Sequence, residues 1–165
     1  MAIFDTLMLA GDYDVSVADR SLRAGPAGGA GLSVDFLGLS PLQLGAQALV
    51  FQRDSHDAQL SPSTLTHLGA HVGAAFVPRA DLMLGAALLV GAQTLDFDDA
   101  DTLTTGLGLG LVGDVGVRLY GALWLRGQVG LLWQPIGGND ATDVTMPPTP
   151  FFGLGTALAL PAPSR

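Results

Sequence analysis

Two histidines, His67 and His71, stand four residues apart in the stretch STLTHLGAHVGAAFV (63–77). On an extended backbone that spacing separates their Cα atoms by about 13 Å, too far to share a metal ion directly. They read as interior polar groups able to titrate against an acid such as Asp14 or Asp35. A second candidate is RDSHD (Arg53–Asp57), where Ser55 and His56 supply a nucleophile and a base. Adjacent residues at a strand end point apart, whereas a catalytic Ser-His pair must meet side chain to side chain, so a polar loop is the plainer account. A third is the acidic group Asp96, Asp98, Asp99, Asp101, Asn139, Asp140 and Asp143, whose oxygens suit a divalent cation but also suit a solvated rim. No metal and no cofactor are assigned. With no cysteine in 165 residues, thiol chemistry and disulfides are excluded.

The remaining charges lie inside apolar segments: Asp12, Asp14, Asp35, Asp114, Arg118 and Arg126, with Gln128 beside them. Their setting is clearest in TTGLGLGLVGDVGVRLY (104–120). From Thr105 to Leu119 every second residue is Thr, Leu, Val or Gly, and the residues between are mostly glycine with one Asp and one Arg. A period of two held that long is a strand with two unlike faces. Turn signals divide the chain into eight such stretches, at about 6–18, 28–39, 42–53, 63–77, 82–95, 102–119, 122–134 and 151–160. Each has roughly the ten residues that a tilted strand needs to cross a bilayer. Tight links at Ser40-Pro41, at 78–81 and around Tyr120-Gly121 alternate with longer, more polar ones at 19–28, 54–62, 96–101 and 135–150.

One face of these strands collects Leu32, Val34, Leu42, Leu44, Leu68, Val72, Leu84, Leu88, Leu107, Leu111, Val115, Leu123, Leu125, Val129, Phe152 and Leu154, and holds no charge. The other collects Gly, Gln, His and the charges above. Only 13% of residues are charged, lysine is absent and mean hydropathy is +0.43, so an apolar face turned outward makes sense only against lipid. A soluble ligand-binding barrel with that face inward would be left with a glycine-rich surface of very few charges. Spanning helices fail, because the longest uncharged runs are broken by Ser40-Pro41 or too short. The net charge of −8 argues against nucleic acid. The expected fold is all-β: an eight-stranded antiparallel up-and-down transmembrane β-barrel with short periplasmic turns and longer extracellular loops. Its bore would be filled by Asp12, Asp14, Asp35, His67, His71, Asp114, Arg118, Arg126 and Gln128, a salt-bridged plug in preference to an ion path. Trp124, Trp133, Tyr13, Tyr120, Phe151, Phe152 and Phe97 are candidates for interfacial aromatic girdles.

GLGLGLVGDVGVRL with its tight turn, LWLRGQVGLLW, and the terminal FFGLGTALAL together resemble the small eight-stranded outer-membrane barrels of the OmpA/OmpX-like group. Gly155-x-x-Leu158-x-Leu160 is similar to the C-terminal insertion signal of such barrels, which normally ends on Phe; here PAPSR follows. The resemblance implies a barrel over 1–160, with 161–165 a tail or the start of a proline-rich linker to a periplasmic domain. It implies a monomer in the bacterial outer membrane, in its mature form without signal peptide. Its partners would be membrane lipid, lipopolysaccharide and the barrel insertion machinery. A non-catalytic structural role is expected. A narrow pore or hydrophobic-compound channel, and a lipid A-modifying enzyme using His56, are the alternatives.

Overall fold

Period-two alternation gives each segment two faces and no helical stripe, so burial is possible only by sheet closure or sheet stacking. The computed structural model describes residues 2–10, 13–17, 20–39, 41–53, 64–97, 102–139 and 142–159. The strands are β1 (Ala2–Ala10), β2 (Tyr13–Val17), β3 (Arg20–Ala24), β4 (Ala27–Leu39), β5 (Leu42–Gln52), β6 (Thr64–Arg79), β7 (Leu82–Phe97), β8 (Thr102–Tyr120), β9 (Leu123–Asn139) and β10 (Thr142–Ala159). All pairings are antiparallel, in the order β1-β4-β5-β6-β7-β8-β9-β10, and β10 returns to β1 from Ala2↔Ala159 to Ala10↔Phe151. The ring is therefore closed by eight strands, as the sequence predicts.

β2 and β3 carry the first hairpin beyond the ring. β2 continues the line of β1 along β10, with Ser16↔Thr145 and Val17↔Val144, and β3 pairs with β2 from Tyr13↔Ala24 to Val17↔Arg20. The expected first strand at about 6–18 is thus displaced: the part in the ring is Ala2–Ala10. Asp14 consequently stands on β2, above the bore, and Asp12 lies outside the described residues. The expected long links at 19–28 and 135–150 are also largely strand. Tight turns join β4 to β5, β6 to β7 and β8 to β9 at one end. Gly121, with φ of 53°, occupies the left-handed region in the last of them, a conformation glycine adopts without penalty.

The faces sort as the alternation requires. β5 buries Gln43, Gly45, Gln47, Leu49 and Phe51 and exposes Leu42, Leu44 and Val50. Outward positions around the ring include Leu32, Leu68, Val72, Phe76, Leu88, Val90, Leu111, Val129 and Leu154, with Leu68 and Phe76 each 64% exposed. A continuous apolar belt of this size is far beyond the patches that soluble monomers present to water, and closure leaves no unpaired edge in it. The barrel is a transmembrane one.

Candidate functional site

The bore is filled in layers that can be followed from the tight-turn end. Near that end lie two polar pairs. His71 Nε2 donates to Asp35 Oδ1 over 2.6 Å, and Arg126 Nε donates to Asp114 Oδ2 over 2.9 Å. All four side chains are buried. Asp114 of β8 stands opposite Gln128 and Arg126 of β9 opposite Gly116, so the two charges are diagonal neighbours, offset by two residues from the directly opposed placement that equal spacing about Tyr120 would give. Removing one member of such a pair leaves an uncompensated charge, at a cost of about 3–5 kcal/mol. Arg118 is not part of this layer. It is exposed beside the β8–β9 turn, donates from Nε to the Gly121 carbonyl at 2.5 Å, and stands 6.0 Å from the Trp124 ring. Two residues before the end of β8, its long stem reaches the water at the barrel's end, which costs less than burial.

Gln47 and Gln128 lie beyond the charges, the first buried and the second partly so, whereas buried Gln43 lies two residues nearer the tight turn than Gly45, the residue beside the His71–Asp35 pair. A cavity of about 10 Å³ among Ser33, Gln47, Leu49, Val112, Gln128 and Phe151 has the volume and the polar partners for one water. The third layer departs from expectation. Leu49, Phe51, Leu89, Val112, Leu132 and Phe151 form an apolar collar, with Phe51 and Phe151 edge to face at 6.1 Å. The bore is therefore not filled by polar groups alone. Phe151, expected in a girdle, is 1% exposed and inside, as is Phe97. Phe152 and Tyr120 face outward, whereas Tyr13 stands on β2 beyond the ring.

A second polar layer rests on the collar: His67, Gln93, Gln134 and Met146. Gln93 Nε2 approaches Met146 Sδ at 3.7 Å, and Gln134 Nε2 donates to the Val144 carbonyl at 3.2 Å. Both His67 ring nitrogens, Gln93 Oε1 and Gln134 Oε1 are buried without a hydrogen bond among the described residues. Leu65, Leu95, Phe97 and Val144 close the layer from above. Gln93, Gln134 and Met146 are absent from the site predicted by sequence; Gln93 and Gln134 stand inside the expected strands at 82–95 and 122–134, where strand parity alone would place them, and Met146 falls in the expected link at 135–150.

Glycines make this filling possible. A Cβ on Gly108 would lie 2.6 Å from His67 Nδ1 and 2.8 Å from Gln93 Cβ. A Cβ on Gly45 would strike the His71 ring, on Gly85 the Asp114 carboxylate, and on Gly130 the Phe151 ring. In a bore of eight strands, a large side chain fits only where its neighbour has none.

His67 and His71 stand in different layers of the bore and are not brought together. Ser55 and His56 lie outside the described residues, as do Asp98, Asp99, Asp101 and Asp140. Among the described residues no group of three or more His, Cys, Asp or Glu is arranged to hold a metal.

With this geometry the chain is similar to Neisserial surface protein A, at 16% identity and a TM-score of 0.64, covering 97% of this chain and 99% of that one. The chain has the fold of the small outer-membrane β-barrels. A major outer membrane protein of Thermus thermophilus matches at 15% identity and TM-score 0.56, covering 95% of this chain and 98% of that one. Ail, the attachment invasion locus protein of Yersinia pestis, matches at 12% and 0.55 with the same coverage. No family model matches the chain, and no curated protein matches it. The OmpA/OmpX-like likeness drawn from the strand pattern thus agrees with these structural neighbours, all of the small-barrel architecture.

Proposed function

We propose that this chain is a structural, non-catalytic barrel of a Gram-negative outer membrane, with a closed bore and loops displayed on the outer side. The observation that carries this reading is the apolar collar. Among the described residues, Leu49, Phe51, Leu89, Val112, Leu132 and Phe151 leave no polar route for a hydrated ion between the lower charged pairs and the upper polar layer. The tight turns would face the periplasm and the longer links the outside, where lipopolysaccharide is the nearest surface. Insertion would use the barrel assembly machinery, and the protein would act as a monomer. The tail beyond Leu160, outside the described residues, would be a spacer to a periplasmic domain where one follows.

Planar-bilayer recording tests the closed bore. The protein is expected to pass no steady current, and Phe51→Ala with Phe151→Ala, which removes the edge-to-face pair, is expected to introduce openings. Steady single-channel conductance from the unaltered protein would overturn this reading in favour of a pore.

A further inference from the structure

Regular pairing lapses at two places in the sheet. In β10, MPPTP (146–150) bulges the register toward β9 between Asp143 and Met146 and between Met146 and Thr149. Side chains take up carbonyls there: Gln134 Nε2 donates to Val144 O, and Thr149 Oγ1 donates to Pro147 O at 3.1 Å. The other place is Gly25-Pro26, where the chain leaves β3, paired with β2, and enters β4, paired with β1. Proline has no N–H to offer a neighbour, and glycine has no side chain to fill the space. A cleft of about 590 Å³ opens here, lined by Gly25, Pro26, Gly28, Gln52 and Arg53.

The cleft is open to its surroundings. Pro26, Gly28 and Gln52 are exposed, and a Cβ on Gly28 would meet nothing within 4 Å. Arg53 is half-buried, and its guanidinium lies along Gly25, where a Cβ would stand 3.7 Å from Nε and Nη2. Its Nη1 is buried and without a hydrogen bond among the described residues. The other arginines with described side chains are each answered: Arg126 by Asp114, Arg79 by Asp81 and Arg118 by the Gly121 carbonyl. A buried cationic donor left over in this way is costly and marks a place for an acceptor. Its level is set by β5, which runs eleven residues, Leu42–Gln52, with Val50 as its last exposed apolar side chain. Tilted, that length crosses the apolar band, so Arg53 lies just past it, at the level of lipid head groups.

We propose that the Arg53 cleft binds a phosphate monoester. The planar guanidinium presents paired N–H donors to two phosphate oxygens, and Gln52, opposite Gly28, lines the same cleft with an amide that can donate to a third. A carboxylate would use the guanidinium and leave the amide idle. The cleft is far larger than a phosphate ion, which leaves room for the glycerol or sugar that carries it. Its level favours a lipid head group over a soluble ester as the source. Only the leaflet that supplies the lipid rests on the orientation proposed above, and a conducting bore would leave the cleft as it is.

The chain folded in dodecyl maltoside micelles, which contain no phosphorus, is titrated with dihexanoyl phosphatidic acid and, separately, with inorganic phosphate. The phosphorus NMR resonance of each ligand reports binding. Both titrations are expected to saturate, phosphatidic acid at a midpoint about tenfold or more below that of phosphate. Equal midpoints would support the same site with a soluble ester as its source. Arg53→Gln is expected to raise the midpoints about tenfold or more, and Arg53→Lys, a point charge without the fork, by less. Gly28→Glu, which sets a carboxylate in open space within the cleft, should raise them as Arg53→Gln does while the barrel folds as before. Asp12, between β1 and β2, and Asp54, next to Arg53, lie outside the described residues. Binding that emerges only when Asp12→Asn and Asp54→Asn are introduced would overturn the proposal, because the natural chain would then satisfy its own arginine. So would titrations that fail to saturate, or Arg53→Gln and Gly28→Glu variants that bind like their parent.

Discussion

His67 and Gln93 occupy the volume that Gly108 leaves vacant, and this exchange of volume between neighbouring strands is the smallest unit of the bore's packing. Gly108→Ala is expected to destabilise the folded barrel by about 1–3 kcal/mol, because the added methyl meets the imidazole at less than contact distance. In a His67→Ala background the same change should cost much less, and denaturant unfolding in vesicles would display the difference as a coupling energy. Equal costs in both backgrounds would mean that the glycine serves the backbone alone. At this scale the sequence is partly legible. Asp35, His71, Asp114 and Arg126 can be assigned to the interior because each charge falls out of phase with the leucines. Leu49, Leu89, Val112 and Phe151 fall in that same polar phase, but their chemistry resembles the outer belt, and only strict parity places them inside. Arg118 obeys parity yet sits where the strand ends, so water decides its position.

Strand phase is the most legible property of the elements, since the leucines and valines of β5 to β9 repeat at two over the whole width of the bilayer. Strand ends are less so. Gly11 falls between β1 and β2, and Gly25-Pro26 divides β3 from β4; such residues read in sequence as loop although strands resume beyond them. MPPTP likewise reads as part of a long link, because prolines are disfavoured in a central strand. The structure keeps it in the wall by replacing lost ladder bonds with Gln134 and Thr149. Pro147→Thr together with Pro148→Val restores a donor to each flanking ladder. Amide hydrogen exchange of β10 between Thr145 and Phe151 should slow in that variant by about tenfold or more, and unchanged exchange would show that the bulges, not the missing donors, keep the segment open.

For the whole molecule, the decisive property is inversion: the broad apolar belt is outside, and the paired charges are within. An arginine at Leu88, which is 56% exposed near the middle of the belt, is expected to cost about 2–4 kcal/mol in folding into a bilayer, whereas Phe76→Arg near the tight-turn end should cost less. Reversible folding into vesicles would measure both, and equal costs would argue that the belt does not lie across the membrane as its composition demands. The glycine seats have a further consequence for how eight such strands find one arrangement. Slipping a strand by one residue turns it inside out, but slipping by two preserves the face pattern and hydrophobicity cannot reject it. Around GLGLGL (106–111) the seats repeat every second residue, so a His67 displaced by two finds another glycine. Asp114 over Gly85, His71 over Gly45 and Phe151 over Gly130 have no such run of alternatives. Proofreading of alignment during assembly therefore falls to the lower and middle bore, and the most regular stretch of the chain is the one that carries least information about where its neighbours belong.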